Sequence, residues 1–274
     1  MRLSTRNVTG EAVAAALGRA FSGPSEGGYV QNPRQNLIPG NSLEDFEADL
    51  SAGAGQELLG KFLAIHSSSA LAANTFGPFK RTPDRLRFPG LASASSIQFE
   101  MALPTGLRGT APHLDVVIRS EREFFAIESK LSEYFAPKAA HYSDAYNPEA
   151  LPGIEPCWWD VIERSKHAGE RRLDVAQLAK HHFGINRAVS ASQQEGAPRT
   201  AATLAYLFWE PLNAADIDVC RRHRDEIAEL SEAVKSSTTR FVSMSYLELW
   251  GEWLRVPELA EHAGHLLRRY GVSI

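Results

Sequence analysis

The sequence predicts an α/β fold, a central mixed β-sheet flanked by helices, and three observations carry that expectation. Two β-rich runs, Leu114 to Ile118 and Phe124 to Ile127, flank a polar Ser120-Glu121-Arg122-Glu123 segment short enough to be a tight turn. A preceding run, Ile97 to Leu103, alternates apolar and polar residues as a half-buried strand does. Two later runs, Thr203 to Trp209 and Phe241 to Tyr246, are set apart from the hairpin and from each other by helical patterns. The order helix, three strands, helix, strand, helix, strand makes the first strands a meander and sends the later ones across through helices.

Residues 1–42 read as an N-terminal arm. They hold an Ala-rich helix candidate from Gly10 to Phe21, then Gly23 to Gly28 and Asn32 to Asn41, rich in Gly, Pro and Asn. Residues 43–274 read as a single α/β domain with a C-terminal helical extension. From Ser42, an N-cap candidate, Leu43 to about Leu71 looks helical, with a break at Gly53-Ala54-Gly55 and an apolar stripe at Leu58, Phe62 and Ile65. Asn74 to Phe79 reads as a turn. In the strand that follows, Ile97, Phe99, Met101 and Leu103 are expected inward, with Gln98 and Glu100 on the other side. After the hairpin, Tyr134 to Trp158 is a long loop of the kind that is often functional. Helical patterns run from Trp159 to Lys166 and from Leu173 to Phe183, the latter opened by Asp174 and closed by Gly184. Ala214 to Lys235 is a long helix, and Leu247 to Tyr270 is one or two terminal helices.

Composition narrows the function classes. A chain of 274 residues with 43% hydrophobic content buries a sizeable core. Cys157 and Cys220 lie far apart and form no Cys-x-x-Cys pair, which suggests neither a disulfide framework nor a thiolate zinc site. Arg2 and Arg6 precede Ala12 to Ala16, but Glu11 interrupts any resemblance to a signal peptide, so a cytoplasmic protein is expected. No apolar window is long enough for a bilayer, and no membrane partner is expected. The net charge of −4 excludes an overall electrostatic footprint for nucleic acid. Phosphate contacts then fall to local patches: Lys80-Arg81 with Arg85 and Arg87, Arg164-Lys166-His167 with Arg171-Arg172, and Arg221-Arg222-His223-Arg224. The competing reading of each is an ordinary solvated face.

The hairpin carries the chemistry. With Glu121 and Arg122 as a two-residue loop, Asp115 lies opposite Glu128 with Cβ atoms about 5 Å apart. The period of two places Lys130 beside Glu128 on that face and turns Ser129 the other way with Phe125 and Ile127. A slip of one residue would send a carboxylate into the apolar face. Mg²⁺ keeps several waters and usually takes one or two protein carboxylates beside substrate phosphate oxygens, a demand that Asp115 and Glu128 meet. Glu-x-Lys alone says little, since a charged strand edge guards against aggregation. The flanking positions are strongly apolar, however, and an ion pair in the middle of a buried strand is costly unless it serves something.

Asp115, Glu128 and Lys130, joined by this element order, resemble the signature of the PD-(D/E)XK nuclease superfamily, the restriction-endonuclease-like fold. The wording SSSALAANTFGPF, IESKLSEY, AQLAKHHFGI and YLFWEP resembles a bacterial branch of it, over roughly residues 44–246. Pro112 stands three residues before Asp115 rather than directly before it. The resemblance implies a restriction-endonuclease-like αβββαβ core and a Mg²⁺-dependent deoxyribonuclease, with Mn²⁺ as a substitute ion, DNA as partner and a homodimer left open. It implies that Asp115 and Glu128 bind the metal, that the Ser129 backbone carbonyl completes the coordination, and that Lys130 orients water and steadies the transition state. A third acidic ligand is implied from the helix before the sheet, where Glu57 stands with an i,i+4 pairing to Lys61 as its competing reading; Glu100 is the rival. Gln177, spaced Gln-x-x-x-His from His181, is similar to a Gln-x-x-x-Tyr element and implies contact with DNA or with the lysine. Glu133 reads as a supporting residue or a salt bridge. Trp158-Trp159 and Tyr134 are candidates for base stacking, with core packing as the alternative. His113, and the pair His262 and His265, read as solvated or supporting histidines. The alternative function is a catalytically inactive, DNA-binding or complex-forming protein on the same fold. A glycosidase built on two carboxylates has no use for Lys130.

Overall fold

The computed structural model describes residues 8–52, 57–194 and 200–274. In chain order its elements are α1 (Gly10–Ala20), α2 (Glu47–Ala52), α3 (Ser68–Phe76), β1 (Ser96–Ala102), β2 (His113–Arg119), β3 (Glu123–Lys130), β4 (Lys138–Ala139), α4 (Pro156–His167), β5 (Glu170–Arg171), α5 (Val175–Gln194), β6 (Ala201–Phe208), α6 (Asp218–Ala233), β7 (Arg240–Ser245), α7 (Tyr246–Trp253) and α8 (Pro257–Tyr270). Five strands make the central sheet in the order β1-β2-β3-β6-β7, and β4 pairs with β5 apart from it. The first three are an antiparallel meander, while β6 runs parallel to β3 and β7 parallel to β6. Parallel neighbours need a crossover. Helices α4 and α5 supply the first and α6 the second.

The hairpin forms as the turn chemistry predicts. Ser120 N donates to Glu123 O at 2.9 Å, leaving Glu121-Arg122 as the loop, and Val116 stands opposite Ile127. One face of the sheet packs Val116, Ile118, Phe125 and Ile127 against α1, α3, α7 and α8. The other packs Val117, Ala126, Leu204 and Tyr206 against α4, α5 and α6. From the N-terminal stretch, Val13 and Leu17 are buried, and α1 lies on α8. No helix among the described residues is long and apolar enough to cross a membrane.

Three expectations change, each because a tertiary contact overrides a local signal. The span from Leu43 to Leu71 is not one helix: 3₁₀ turns at Leu43–Asp45 and Lys61–Leu63 bracket α2, and α3 starts only at Ser68. The break at Gly53 to Gly55 falls outside the described residues; Phe62 and Ile65 are buried as expected. Asn74 sits inside α3 rather than opening a turn, because its buried amide accepts from Ile38 N (2.9 Å) and donates to Asn36 O (2.9 Å) and Tyr270 Oη (2.8 Å). Gly184 does not end α5, which continues to Gln194. A Cβ there would fall 2.4 Å from Leu103 O, so the missing side chain lets the helix close on the chain just after β1.

Strand β1 departs in a way that matters for the site. Ile97 and Phe99 pack on one face of the sheet, but Met101 and Leu103 pack on the other. Between them Glu100 has φ 47°, and among the described residues it is the one non-glycine in the left-handed region. Such a backbone is uncommon outside Gly, Asn and Asp and is found where a surrounding structure imposes it.

Candidate active site

Strands β2 and β3 bring the acidic pair together by register alone. One step beyond the Val116–Ile127 pair, Asp115 stands opposite Glu128, and Asp115 Oδ2 accepts a 2.6 Å hydrogen bond from Ser129 N. Glu128 is 1% exposed. Its Oε1 is ion-paired with Lys130 Nζ, and its Oε2 stands 2.8 Å from Nε2 of His181 on α5. Nδ1 of the same ring has no hydrogen-bond partner among the described residues. Asp115 and Lys130 keep partial access to solvent. On the opposite side of β3, Ser129 Oγ lies 2.6 Å from Tyr246 Oη, which ties the strand to α7.

Two further carboxylates crowd the pair. Burial pushes Glu100 up to about 7, reinforced by the charges of Glu57 and Glu128. Burial, with Glu128 and Glu100 beside it, pushes Asp115 well above the usual carboxylate range. Glu128 goes the other way: burial opposes its charge, but Lys130 and His181 outweigh that and hold it down at about 2. Burial opposes the charge of Lys130 too, yet Glu128, Glu133 and Asp115 raise its affinity for the proton. Lys130 is therefore an ammonium, suited to stabilising negative charge and not to taking a proton. Glu57 has an ion pair with Lys61 (3.2 Å) and accepts from Ser69 Oγ (3.0 Å). Both third-acid candidates thus lie at the site, Glu57 committed to neighbours and Glu100 with no side-chain hydrogen bond among the described residues.

The chain belongs to a restriction endonuclease family. The matching family is described as restriction endonuclease associating with ARP, and the match spans residues 12–271, from within α1 to just past α8. No curated protein and no solved structure matches the chain. The mixed five-stranded sheet is the restriction-endonuclease-like fold that the motif implies.

In this restriction endonuclease family member, α5 delivers His181 to Glu128, a contact that sequence reading passed over although the Gln177-x-x-x-His181 spacing marks the helical face. Gln177 lies one turn earlier and half-buried; its backbone N–H is capped by Asp174 Oδ1 at 3.0 Å, and its side chain makes no hydrogen bond among the described residues. Glu133 Oε2 accepts from Leu131 N at 2.7 Å beside Lys130.

Other candidates are not brought to the site. Trp158 and Tyr134 are fully buried, stacked on His182 and His223, and Trp159 packs on Phe183, so none of them is a platform for bases. Most cations of the three basic patches are paired with the chain's own acids: Lys80 with Asp49, Arg81 with Asp45, Lys166 with Glu163, Arg171 with Glu229, Arg221 and Arg222 with Asp218, and Arg224 with Glu210. His262 donates to Thr75 O at 3.0 Å, and His265 contacts Arg268. A cavity of about 1070 Å³ opens at the turn end of the hairpin, lined by Ser120 to Glu123, Asn186 and Thr238. That is roughly 17 Å along β3 from Glu128, at about 3.3 Å per residue. At the site itself Glu100, Asp115 and Lys130 are partly exposed, while Glu128 is buried beneath them.

Proposed function

We propose that the chain is a Mg²⁺-dependent deoxyribonuclease, with Mn²⁺ as a substitute, that hydrolyses DNA phosphodiester bonds in the cytoplasm. The observation that carries this reading is the opposed pair Asp115 and Glu128 with Lys130 on Glu128, set in a patch where Glu57 and Glu100 add further negative charge. So many acids against Lys130 and Lys61 leave a deficit of positive charge that a divalent cation would fill. Among the described residues no three His, Cys, Asp or Glu side chains stand ready to hold a metal ion, so an ion here would have to keep waters and take substrate oxygens as ligands.

Asp115 and Glu128 would hold the ion, with the carbonyl of Ser129, the residue after Glu128, and with Glu100 as third acid. Glu100 is preferred to Glu57 because its carboxylate is uncommitted. When bound, the ion supplies Lewis acidity to the scissile phosphate and to a water. Lys130, fixed as an ammonium, faces charge that grows on the phosphate in the transition state. Asp115 is held in place by Ser129 N–H, and His181 limits how Glu128 can turn. Gln177, one turn before His181 on α5, would contact DNA or Lys130.

A second reading, a complex-forming member that no longer cuts, is favoured by one observation: both oxygens of Glu128 already face basic groups of its own chain. Incubation of the purified chain with plasmid and single-stranded DNA in Mg²⁺ or Mn²⁺, beside Lys130→Ala, separates the two. Cutting by the wild type and not by the variant supports the nuclease. Equal cutting by both removes these residues from the mechanism, and no cutting together with no metal uptake by calorimetry leaves the second reading.

A further inference from the structure

The central sheet ends in β1 on one side and β7 on the other, and only the β1 edge is sealed. There the outward Phe99 N donates to Asp49 Oδ2 at 2.9 Å and the outward Ile97 O accepts from Lys80 Nζ at 2.8 Å, with Asp49 and Lys80 ion-paired to each other. Charged side chains laid over a strand edge keep it from pairing with another chain. Strand β7 has no such cover among the described residues.

The ladders fix which groups β7 leaves open. Ala201 N donates to Arg122 O and Trp209 N to Lys130 O, both at 2.8 Å, so the odd-numbered residues of β6 bond β3 and the even-numbered ones bond β7. With Leu204 opposite Phe241, the residues of β7 that bond back are Arg240, Val242 and Met244. Phe241, Ser243 and Ser245 therefore turn N–H and C=O outward. Ser245 N donates to Glu248 Oε2 at 2.6 Å, which closes the run at its C-terminal end. The N–H and C=O groups of Phe241 and Ser243 have no hydrogen-bond partner among the described residues. Nor is the edge guarded by its side chains: β7 holds no Pro, Lys or acid, and Ser243 is exposed. Its one charge, Arg240, reaches inward across the sheet to Thr203 Oγ1 (3.3 Å) and Gly90 O (3.4 Å), with its guanidinium 5.6 Å from the centre of the Phe125 ring.

These four open groups complement a second copy of themselves. In an antiparallel pair about a two-fold axis at Val242, Phe241 of each strand stands opposite Ser243 of the other, and each such pair exchanges two hydrogen bonds. Every open group is then used. An axis at Ser243 would instead set Phe241 against Ser245, whose N–H is already taken. No like charges meet, because Arg240 stands opposite Met244 of the copy and the two Arg240 residues lie about 13 Å apart along the strands, beyond a Debye length of about 8 Å. Val242 and Met244 border a cavity of about 270 Å³ with Phe88, Ala205 and Leu207, on the face where Val242 and Met244 of the copy would also lie.

We propose that β7 is a homodimerisation edge, pairing antiparallel with β7 of a second copy of this chain so that one sheet runs through both. The proposal goes beyond the nuclease reading and does not depend on it, since mass and cross-linking are read without cutting.

Sedimentation equilibrium of the full chain is expected to give twice the chain mass at micromolar concentration. Ser243→Pro removes an outward donor and spares the ladder to β6, as proline on an edge does. The two-fold then loses two hydrogen bonds, and the dimer should be about tenfold or more weaker, with circular dichroism checking that the variant is folded. Val242→Cys, which decides the matter should that variant unfold, is expected to give a disulfide-linked dimer on mild oxidation. Arg240→Cys and the wild type, which has only Cys157 and Cys220, should not. A wild-type monomer at every concentration overturns the proposal and leaves the edge to a strand of another protein. So does a folded Ser243→Pro that dimerises as the wild type does, or equal cross-linking of Val242→Cys and Arg240→Cys.

Discussion

Two adjacent histidines of α5 each meet a glutamate, Glu128 buried and Glu155 half-buried, and the two pairs differ sharply. His182 Nε2 lies 2.9 Å from Glu155 Oε2, while Glu155 Oε1 accepts from Ser237 Oγ (3.1 Å), Thr238 N (2.8 Å) and Thr238 Oγ1 (2.7 Å). Trp158 stacks on that histidine at 4.4 Å and donates to Ser237 Oγ at 3.1 Å. Burial pushes Glu155 up, but His182 and Thr238 outweigh it and hold the carboxyl well below its ordinary range. The glutamate is satisfied at both oxygens, and the network joins α4, α5 and the approach to β7. His181, one residue earlier, faces Glu128 in a crowd of acids. Each histidine leaves its Nδ1 without a hydrogen-bond partner among the described residues, so the difference lies in the carboxylates: Glu155 is hydrogen-bonded at both oxygens, whereas Glu128 sits among further acids. The crowded carboxylate is where a cation has something to add.

The largest expected effect falls on chemistry. Lys130→Ala should lower cleavage about 10²- to 10³-fold, the scale for removing one preorganised charge from a transition state, measured as initial rates on plasmid. A variant within a few fold of wild type would make the Glu128 network as structural as the Glu155 one.

Next is the pH dependence of the metal-free protein, in which the two networks have opposite signs. Glu100 is pushed up to about 7 from an ordinary 4.5, so the folded state holds its proton more tightly than the unfolded state does. Its contribution is fully present below about pH 4.5 and is lost as pH rises through about 7, up to roughly 3 kcal/mol. Urea midpoints in EDTA should therefore fall between pH 5 and pH 8, and Glu100→Gln should flatten that limb. Glu155 is depressed, so its contribution is present above its unfolded value and lost as pH falls. A wild-type profile that does not fall on the alkaline side would break the contrast.

His181→Gln should weaken Mn²⁺ binding about tenfold, typical for a residue that orients a ligand, read by calorimetry. Unchanged affinity would make His181 a packing residue. Smallest is Glu155→Gln, expected to cost about 1.5 to 2 kcal/mol of stability by urea unfolding, the scale of a charge-assisted hydrogen bond, with cleavage per folded molecule unchanged. Lost cleavage at full folding would merge the two networks into one.

Legibility followed range along the chain. The i,i+3 and i,i+4 pairs that neutralise Lys166, Arg221 and Arg222 were open to sequence reading, because helical spacing places the acids beside them. Those of Arg171 with Glu229 and Lys80 with Asp49 were not, since they join separate elements. The buried ends of Trp158 and Tyr134 were ambiguous for the same reason: an aromatic in a loop reads alike whether it covers a core or faces a base.

From the chain alone came the hairpin, its register and the meeting of Asp115, Glu128 and Lys130, because a two-residue turn and a period of two leave one arrangement that keeps the alternate side chains buried. Only the packed structure decided that His181 completes the surroundings of Glu128, that Glu100 turns into the left-handed region beside it, and that Gly184 stands in mid-helix. Those outcomes depend on which surfaces of α5, β1 and the segment before α3 come within contact, and contact between distant segments is set by the packing of the whole core rather than by any local pattern.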